Sequence, residues 1–339
     1  MKAPFSALLL LFPIPAVALL AAGGDPGQWK ILAGIPDPQF GCASAVVNGR
    51  LHVLGGATSA GGASNAHQVY DPATDTWTKK APIPERSGWP AIAVYRDKIY
   101  LFGGDKKGID ASQSDRAFAY DPAADKWTEL ARLPAPRSYA AARTVGDFIY
   151  IFGARTLHRD RPDLSTYRYD PKGNTYTRMS DMPEGARFIT QDTYNGFIYC
   201  VHGETANETY ADGVLKYDIA NDRWRKLNIP RINKTKWTLS QHSASISHGT
   251  KLFILGGKPA EGSRTPLATY FDMKTETFGL ADPMPKGRCC GTSGVIGGTI
   301  YSAGGFWEVT EDVVVCRETW AYPIPETLPA KPPTSCCSN

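Results

Sequence analysis

The chain has 339 residues and a formal net charge of only +4, with both signs mixed along its length, so nothing suggests the concentrated basic surface that nucleic acid requires. Among its seven cysteines, the adjacent pairs Cys289-Cys290 and Cys336-Cys337 lack zinc-ligand spacing and have no His close in sequence, so no metal and no other cofactor is expected. The odd count is compatible with an oxidising compartment and leaves at least one thiol unpaired within a monomer.

Residues 1–22 have the order of a secretory signal peptide: Lys2, an apolar stretch through Leu20, and small residues at Ala18, Ala21 and Ala22 ahead of Gly23-Gly24-Asp25-Pro26. Pro13 and Pro15 interrupt the stretch, which is short for a span. The expectation is cleavage without stable membrane insertion, and a secreted or periplasmic product.

From Trp29 to Tyr322 a unit of about 50 residues recurs six times. In the first, Ala43 to Val47 and Leu51 to Leu54 flank Asn48-Gly49, which suits a tight antiparallel hairpin; Arg96-Asp97, Gly146-Asp147, Asn195-Gly196, His248-Gly249 and Gly297-Gly298 hold the same place further on. The second apolar segments end at Gly55-Gly56, Gly103-Gly104, Gly153-Ala154, Gly203-Glu204, Gly256-Gly257 and Gly304-Gly305. There follow Tyr70-Asp71, Tyr120-Asp121, Tyr169-Asp170, Tyr217-Asp218, Phe271-Asp272 and a lone Tyr322, then Trp77, Trp127, Tyr176, Trp224 or Phe278. A Pro opens each crossover. The sixth unit lacks its own last aromatic, and Trp29 supplies it, with Pro36 seven residues on as Pro84 is from Trp77. The predicted fold is all-β, a six-bladed β-propeller over residues 23–322 closed by the N-terminal strand, with a flexible Pro/Ser/Cys tail at 323–339.

Residues that obey the repeat are explained by the fold, so departures from it are the candidates for function. In the fourth unit Glu204 falls where the second glycine is expected, and His202 precedes the glycine. With His242, from the start of a fifth-unit strand, these form a possible acid-base set. A structural reading, with the histidines bonded to backbone and Glu204 paired with an arginine, stands beside it. A cationic group comprises Arg155, His158, Arg159 and Arg161 in the third unit's loop, with Arg137, Arg187 and Arg288 at equivalent crossover positions and Arg86 one place off. Guanidinium forks suit carboxylates and sulfates. Aromatic residues Phe40, Trp89, Tyr139, Phe188 and Trp237 line the same crossovers, with Phe188 expected buried and Trp237 exposed. Sequons at Asn207 and Asn233 would carry glycans in a eukaryotic host. Cys42 and Cys290 start adjacent innermost strands at near-equivalent positions, where either a bridge or two buried thiols is plausible.

The register of glycine pairs and aromatic residues resembles the kelch repeat, across nearly all of Trp29 to Tyr322. That resemblance implies a propeller whose channel face binds ligands. The chain is also similar to the exported six-bladed kelch mutarotases of sialic acid metabolism, whose Gly-Glu is matched by Gly203-Glu204. The arginine that follows in that family has no counterpart between Thr205 and Tyr210. Kelch-bearing copper radical oxidases need a Tyr-His pair, and the chain has none. Two functions are therefore expected of the channel face. One is binding of an acidic carbohydrate or a protein partner through Arg155, His158, Arg159, Arg187, Trp237 and Arg288. The other is a sugar-active enzyme, of the mutarotase or uronate lyase type, using Glu204, His202 and His242.

Overall fold

In a computed structural model of the protein, the residues described are 27–108, 112–155, 163–204, 213–229, 244–257, 264–309 and 312–328. All regular elements among them are strands, arranged as six four-stranded antiparallel sheets and one two-stranded hairpin. Each sheet is a blade. Its first strand faces the central channel: Ala43–Val47, Ala91–Tyr95, Ala141–Val145, Arg187–Tyr194, Ala244–His248 and Thr292–Ile296 in blades one to six. Second and third strands are apolar and covered, as in Ile99 to Phe102, while the fourth is the solvated rim.

The ring is closed as its sequence predicts. Lys30–Leu32 forms the outermost strand of blade six, pairing with Thr319–Pro323 in the register Lys30↔Ala321, Ile31↔Trp320 and Leu32↔Thr319. Trp29 packs on Trp320 and Tyr322. The closing strand thus covers an edge that would otherwise stay unpaired.

The repeated polar residues explain how blades hold one another. Tyr120 Oη donates to Asp125 Oδ1 at 2.7 Å, and the same oxygen accepts the Ala81 N–H of the preceding crossover at 2.9 Å. Tyr70 with Asp75, Tyr169 with Asn174 and Tyr217 with Asp222 repeat this, serving Ala33, Ala131 and Ser180. The acceptor residue ends a tight turn in the left-handed region, with φ 50° at Asp75 and 51° at Asn174. Trp77 and Trp127 add ring N–H bonds to the Ala33 and Ala81 carbonyls. Blade five departs. Phe271 has no hydroxyl, and Glu276 at the turn instead accepts from Tyr199 Oη (2.9 Å) and Lys216 Nζ (2.7 Å) of blade four.

Candidate functional site

The six innermost strands enclose an open cavity of about 520 Å³. Its wall is partly polar, and those side chains stitch adjacent blades together. Ser44 Oγ donates to the Ser293 carbonyl (2.8 Å), Thr144 Oγ1 to that of Val94 (2.7 Å), and Gln191 Nε2 to that of Ala142 (2.8 Å). Gln191 Oε1 and Ser293 Oγ, also on the wall, are buried without a hydrogen-bond partner.

At the mouth of blades one, two, three and six, the crossover turns into the innermost strand through one left-handed residue: Gly41 (φ 64°), Trp89 (48°), Tyr139 (58°) and Cys290 (54°). Their backbones form a chain of hydrogen bonds around the rim. The Gly41 N–H donates to Cys290 O (2.9 Å), Trp89 N–H to Gly41 O (2.8 Å) and Tyr139 N–H to Trp89 O (2.9 Å). The Trp89 indole lies over Gly41 so closely that a Cβ there would be 2.2 Å from Cε2, so only glycine fits beneath the ring. Trp89 in turn stacks on Tyr139, with centroids 4.8 Å apart and planes at 25°. Phe40 meets Trp89 edge-on at 5.8 Å and Phe306 at 5.0 Å, making an aromatic run from blade six to blade three. Trp89 Nε1 has no hydrogen-bond partner. The sequence had put Phe40, Trp89 and Tyr139 on crossovers, but the left-handed turn that joins them carries no constant residue type, so the stack was not foreseen.

Blade four corrects the reading of Glu204. Its two inner strands, Arg187–Tyr194 and Phe197–Glu204, run eight residues each, against five in every other blade. Counting outward from the hairpin, His202 occupies the place of the first glycine, Gly203 that of the second, and Glu204 the next position, shared with Ala57, Asp105, Arg155 and Phe306. Glu204 therefore does not replace a glycine. The first glycine has φ between 61° and 67° in the other five blades, whereas through His202 the strand continues. At the matching place in blade two, Asp105 is buried and its carboxylate accepts the N–H groups of Lys107, Gly108 and Ser112, a loop-capping role. Opposite Glu204 in the backbone register stands Arg187. Arg187 lies one place beyond Arg137 and Arg288, whose equivalent in blade four is Ala186, and is not their counterpart as the sequence suggested.

The crossover arginines belong to the interior. Arg137 is 0% exposed, stands over the Tyr167 ring, donates to Ser165 Oγ (3.0 Å) and pairs with Asp163 (3.2 Å). Arg288, expected to bind ligand, is 2% exposed, with its guanidinium 3.7 Å from the Trp320 ring and a bond to the Gly304 carbonyl. Burial pushes its pKa down to about 10. It turns between blades because that ring and carbonyl replace its hydration there, and its role is structural. Arg155 remains partly exposed on the rim, bridged through its backbone to Ser138. His158, Arg159, Arg161, Trp237 and His242 lie outside the described residues, as do Asn207 and Asn233, and of Phe188 only the backbone is described.

Among the described residues, Cys42, Cys200, Cys289, Cys290 and Cys316 form no disulfide, so Cys42 and Cys290 are not bridged. No group of His, Cys, Asp and Glu among the described residues is arranged to hold a metal ion.

A family model described as the KLHDC2/KLHL20/DRC7 Kelch-repeats domain matches residues 27–187. Shorter matches join the chain to beta-scruin of Limulus polyphemus (32% identical over 83 residues, 23% of this chain and 9% of that protein). They also include the kelch-like protein terF of Aspergillus terreus (32% over 109 residues, 27% and 24%) and the F-box/kelch-repeat protein At1g67480 of Arabidopsis thaliana (35% over 78 residues, 23% and 20%). The match thus spans about a quarter or less of each relative. Among solved structures, one described as "Structure of YjhT" superposes with a TM-score of 0.70 at 15% identity, covering 85% of this chain and 96% of that one. With six blades closed by a velcro strand, the chain is a six-bladed β-propeller whose residues 27–187 match the kelch-repeat model.

Proposed function

We propose that the protein is an exported binding propeller whose channel mouth takes an acidic carbohydrate. The observation that carries this reading is the open cavity of about 520 Å³, with Ser44, Thr144, Gln191 and Ser293 on its wall and the Trp89–Tyr139 stack at its entrance. A ring face and a few convergent polar groups are what a polyhydroxylated pyranose uses for affinity and orientation. Arg155, partly exposed on the rim of blade three, supplies the cationic side for a carboxylate, while Arg187 of blade four is 7% exposed. Protein partners fit this site less well, because its polar residues lie on a concave wall.

Titration of the mature protein with N-acetylneuraminate, glucuronate and their neutral counterparts, read by ligand-observed NMR, tests this. Binding of the acids, lost by at least tenfold in Trp89→Ala, is expected. No binding by any of them, or binding unaffected by Trp89→Ala, overturns it.

The second reading is a sugar-active enzyme, a mutarotase or epimerase or a uronate lyase, and the register pairing of Arg187 with Glu204 favours it. Glu204 would exchange the proton and Arg187 would hold the substrate carboxylate, with His202 assisting. Anomeric exchange followed in the same NMR samples decides it. Glu204→Gln is expected to slow exchange by about 100-fold or more if the carboxyl is the acid-base group. An unchanged exchange rate, or none above background in the wild type, removes it.

A further inference from the structure

The rim position that is left-handed in blades one, two, three and six, and the position before it, are occupied by Phe40-Gly41, Gly88-Trp89, Ser138-Tyr139 and Cys289-Cys290 respectively. The fold accepts almost any residue type at these two places, so it does not call for two thiols. In an extended strand successive side chains point apart. The left-handed turn at Cys290 folds the second side chain back toward the first, and the two sulfur atoms come to 3.5 Å. Cys290 lines the channel cavity, and Cys42 of blade one lines it too, beyond the Gly41 N–H bond to Cys290 O.

We infer that Cys289 and Cys290 form a dithiol–disulfide pair at the channel mouth, closed by thiol–disulfide exchange with a small disulfide that enters through the channel. The inference stands apart from the identity of the ligand. The Cys290 sulfur, having lost its proton, attacks one sulfur of the small disulfide. That S–S bond breaks, one small thiolate leaves and takes up a proton, and a mixed disulfide remains on Cys290. Cys289, losing its proton in turn, attacks the Cys290 sulfur and displaces the second small thiol. One small disulfide is reduced to two thiols while two protein thiols become one adjacent-residue disulfide.

The site is selective by burial. Cys289 is 2% exposed and Cys290 6%, so a reagent has to come along the cavity rather than from the outer surface. Burial holds the Cys290 thiol well above its ordinary value, with Cys289 and Cys42 adding to this and Arg264 opposing it. Exchange is therefore slow compared with an exposed thiol. Closure would tie the two side chains beside Phe40 and Phe306, which share their cluster, and so alter the rim on which Trp89 rests.

The full chain is incubated over a series of oxidised to reduced glutathione ratios, alkylated, digested and read by mass spectrometry. As the ratio rises, the peptide carrying Cys289-Cys290 is expected to lose both alkyl groups together and become lighter by two hydrogens, while Cys200 and Cys316 stay alkylated only after denaturation. In Cys289→Ser the second step is blocked, and a glutathione adduct is expected to accumulate on Cys290. The inference fails if the wild-type peptide keeps two alkylatable thiols at every ratio. It fails equally if Cys290 pairs with Cys42, or if the adduct on Cys290 persists in the wild type. The wild-type measurement does not depend on whether the variant folds.

Discussion

Blades one to three and blades four and five are built on one repeat and solve it differently. In the first three, the turn acceptor ties a tyrosine hydroxyl to the preceding crossover, and a glycine in the left-handed region ends the second strand. In blade four the second strand runs on through His202, and in blade five Phe271 and Glu276 replace the hydroxyl–acceptor pair with an ion pair to Lys216 across the blade boundary. The ring tolerates this because closure and neighbour contacts spread stability over every interface. What differs is the rim. The regular blades present a tight mouth with stacked rings, whereas blade four extends a longer hairpin from it.

The closing strand gives the largest test of whether blades are interchangeable. Removing residues through Pro36 strips blade six of its outer strand, the Trp29 contacts and the Ile35 N–H bond to Arg317 O. Loss of cooperative folding, or a fall of several kcal/mol, is expected in thermal or urea unfolding followed by tryptophan fluorescence. A truncated protein with an unchanged midpoint would show that blade six is held without its velcro.

Acid should find the one exception inside the regular part. His52 stands where the other blades carry Tyr100, Tyr150, Tyr199, Phe253 and Tyr301, and it is buried against His67. The contact is 2.9 Å, and His67 Nδ1 faces the Ala81 carbonyl at 3.3 Å. The geometry assigns a relay in which His52 Nδ1–H donates to His67 Nε2 and His67 Nδ1–H donates to Ala81. Both rings are therefore neutral. Burial pushes His52 down to about 3, with the His67 charge adding to it, and His67 down to about 4. The unfolded chain binds these protons near pH 6.5, the folded one only near 4 and below, so the unfolded state gains protons first. Stability is expected to be level above that pH and to fall between about 6.5 and 4 by up to ~1.4 kcal/mol per pH unit for each ring. Urea midpoints across pH 4 to 8 measure it. The paired variant His52→Phe, His67→Leu should flatten this slope whatever its absolute stability, and a slope equal to that of the wild type would assign the acid sensitivity elsewhere.

Next in size is the turn acceptor. Asp125→Ala removes a bond from Tyr120 Oη and one from Ala81 N–H, leaving a buried hydroxyl without its partner, which costs about 2–4 kcal/mol at the scale of bonds to charged acceptors. Glu276→Ala in blade five removes contacts to Lys216 and Tyr199 at a partly exposed carboxylate, and is expected to cost less than half as much. Equal costs would mean that the rewired turn carries as much of the ring as the regular one.

The fold was legible because its structural residues are also its repeated residues: Tyr120, Asp125 and Trp127 make in blade two the contacts that Tyr70, Asp75 and Trp77 make in blade one. The site was legible only in part. Whether an arginine such as Arg288 reaches solvent depends on a ring, Trp320, that lies 32 residues away in sequence and joins it only when the blade folds. Arg187 and Glu204 were named separately, but their pairing needed the hairpin register. Blade four was misread by one place because the single glycine at the end of its second strand, Gly203, was matched to the first of the usual two, and nothing local marks a strand that fails to turn.

That one-place shift makes the smallest and most discriminating prediction. If His202 is an ordinary strand position, His202→Gly loosens an extended backbone and costs about 0.5–1 kcal/mol, as glycine does within a strand. At the aligned position of blade two, Gly103 holds φ 66° and an added Cβ would lie 2.4 Å from the Arg137 carbonyl. Gly103→Ala therefore meets both left-handed strain, about 1–2 kcal/mol, and a backbone clash. The two substitutions act at equivalent places in opposite directions, and both are expected to destabilise, the second more than the first, in urea midpoints measured side by side. Stabilisation by His202→Gly would mean that blade four turns there as its neighbours do. The eight-residue hairpin, and with it the pairing of Arg187 and Glu204, would then have to be given up.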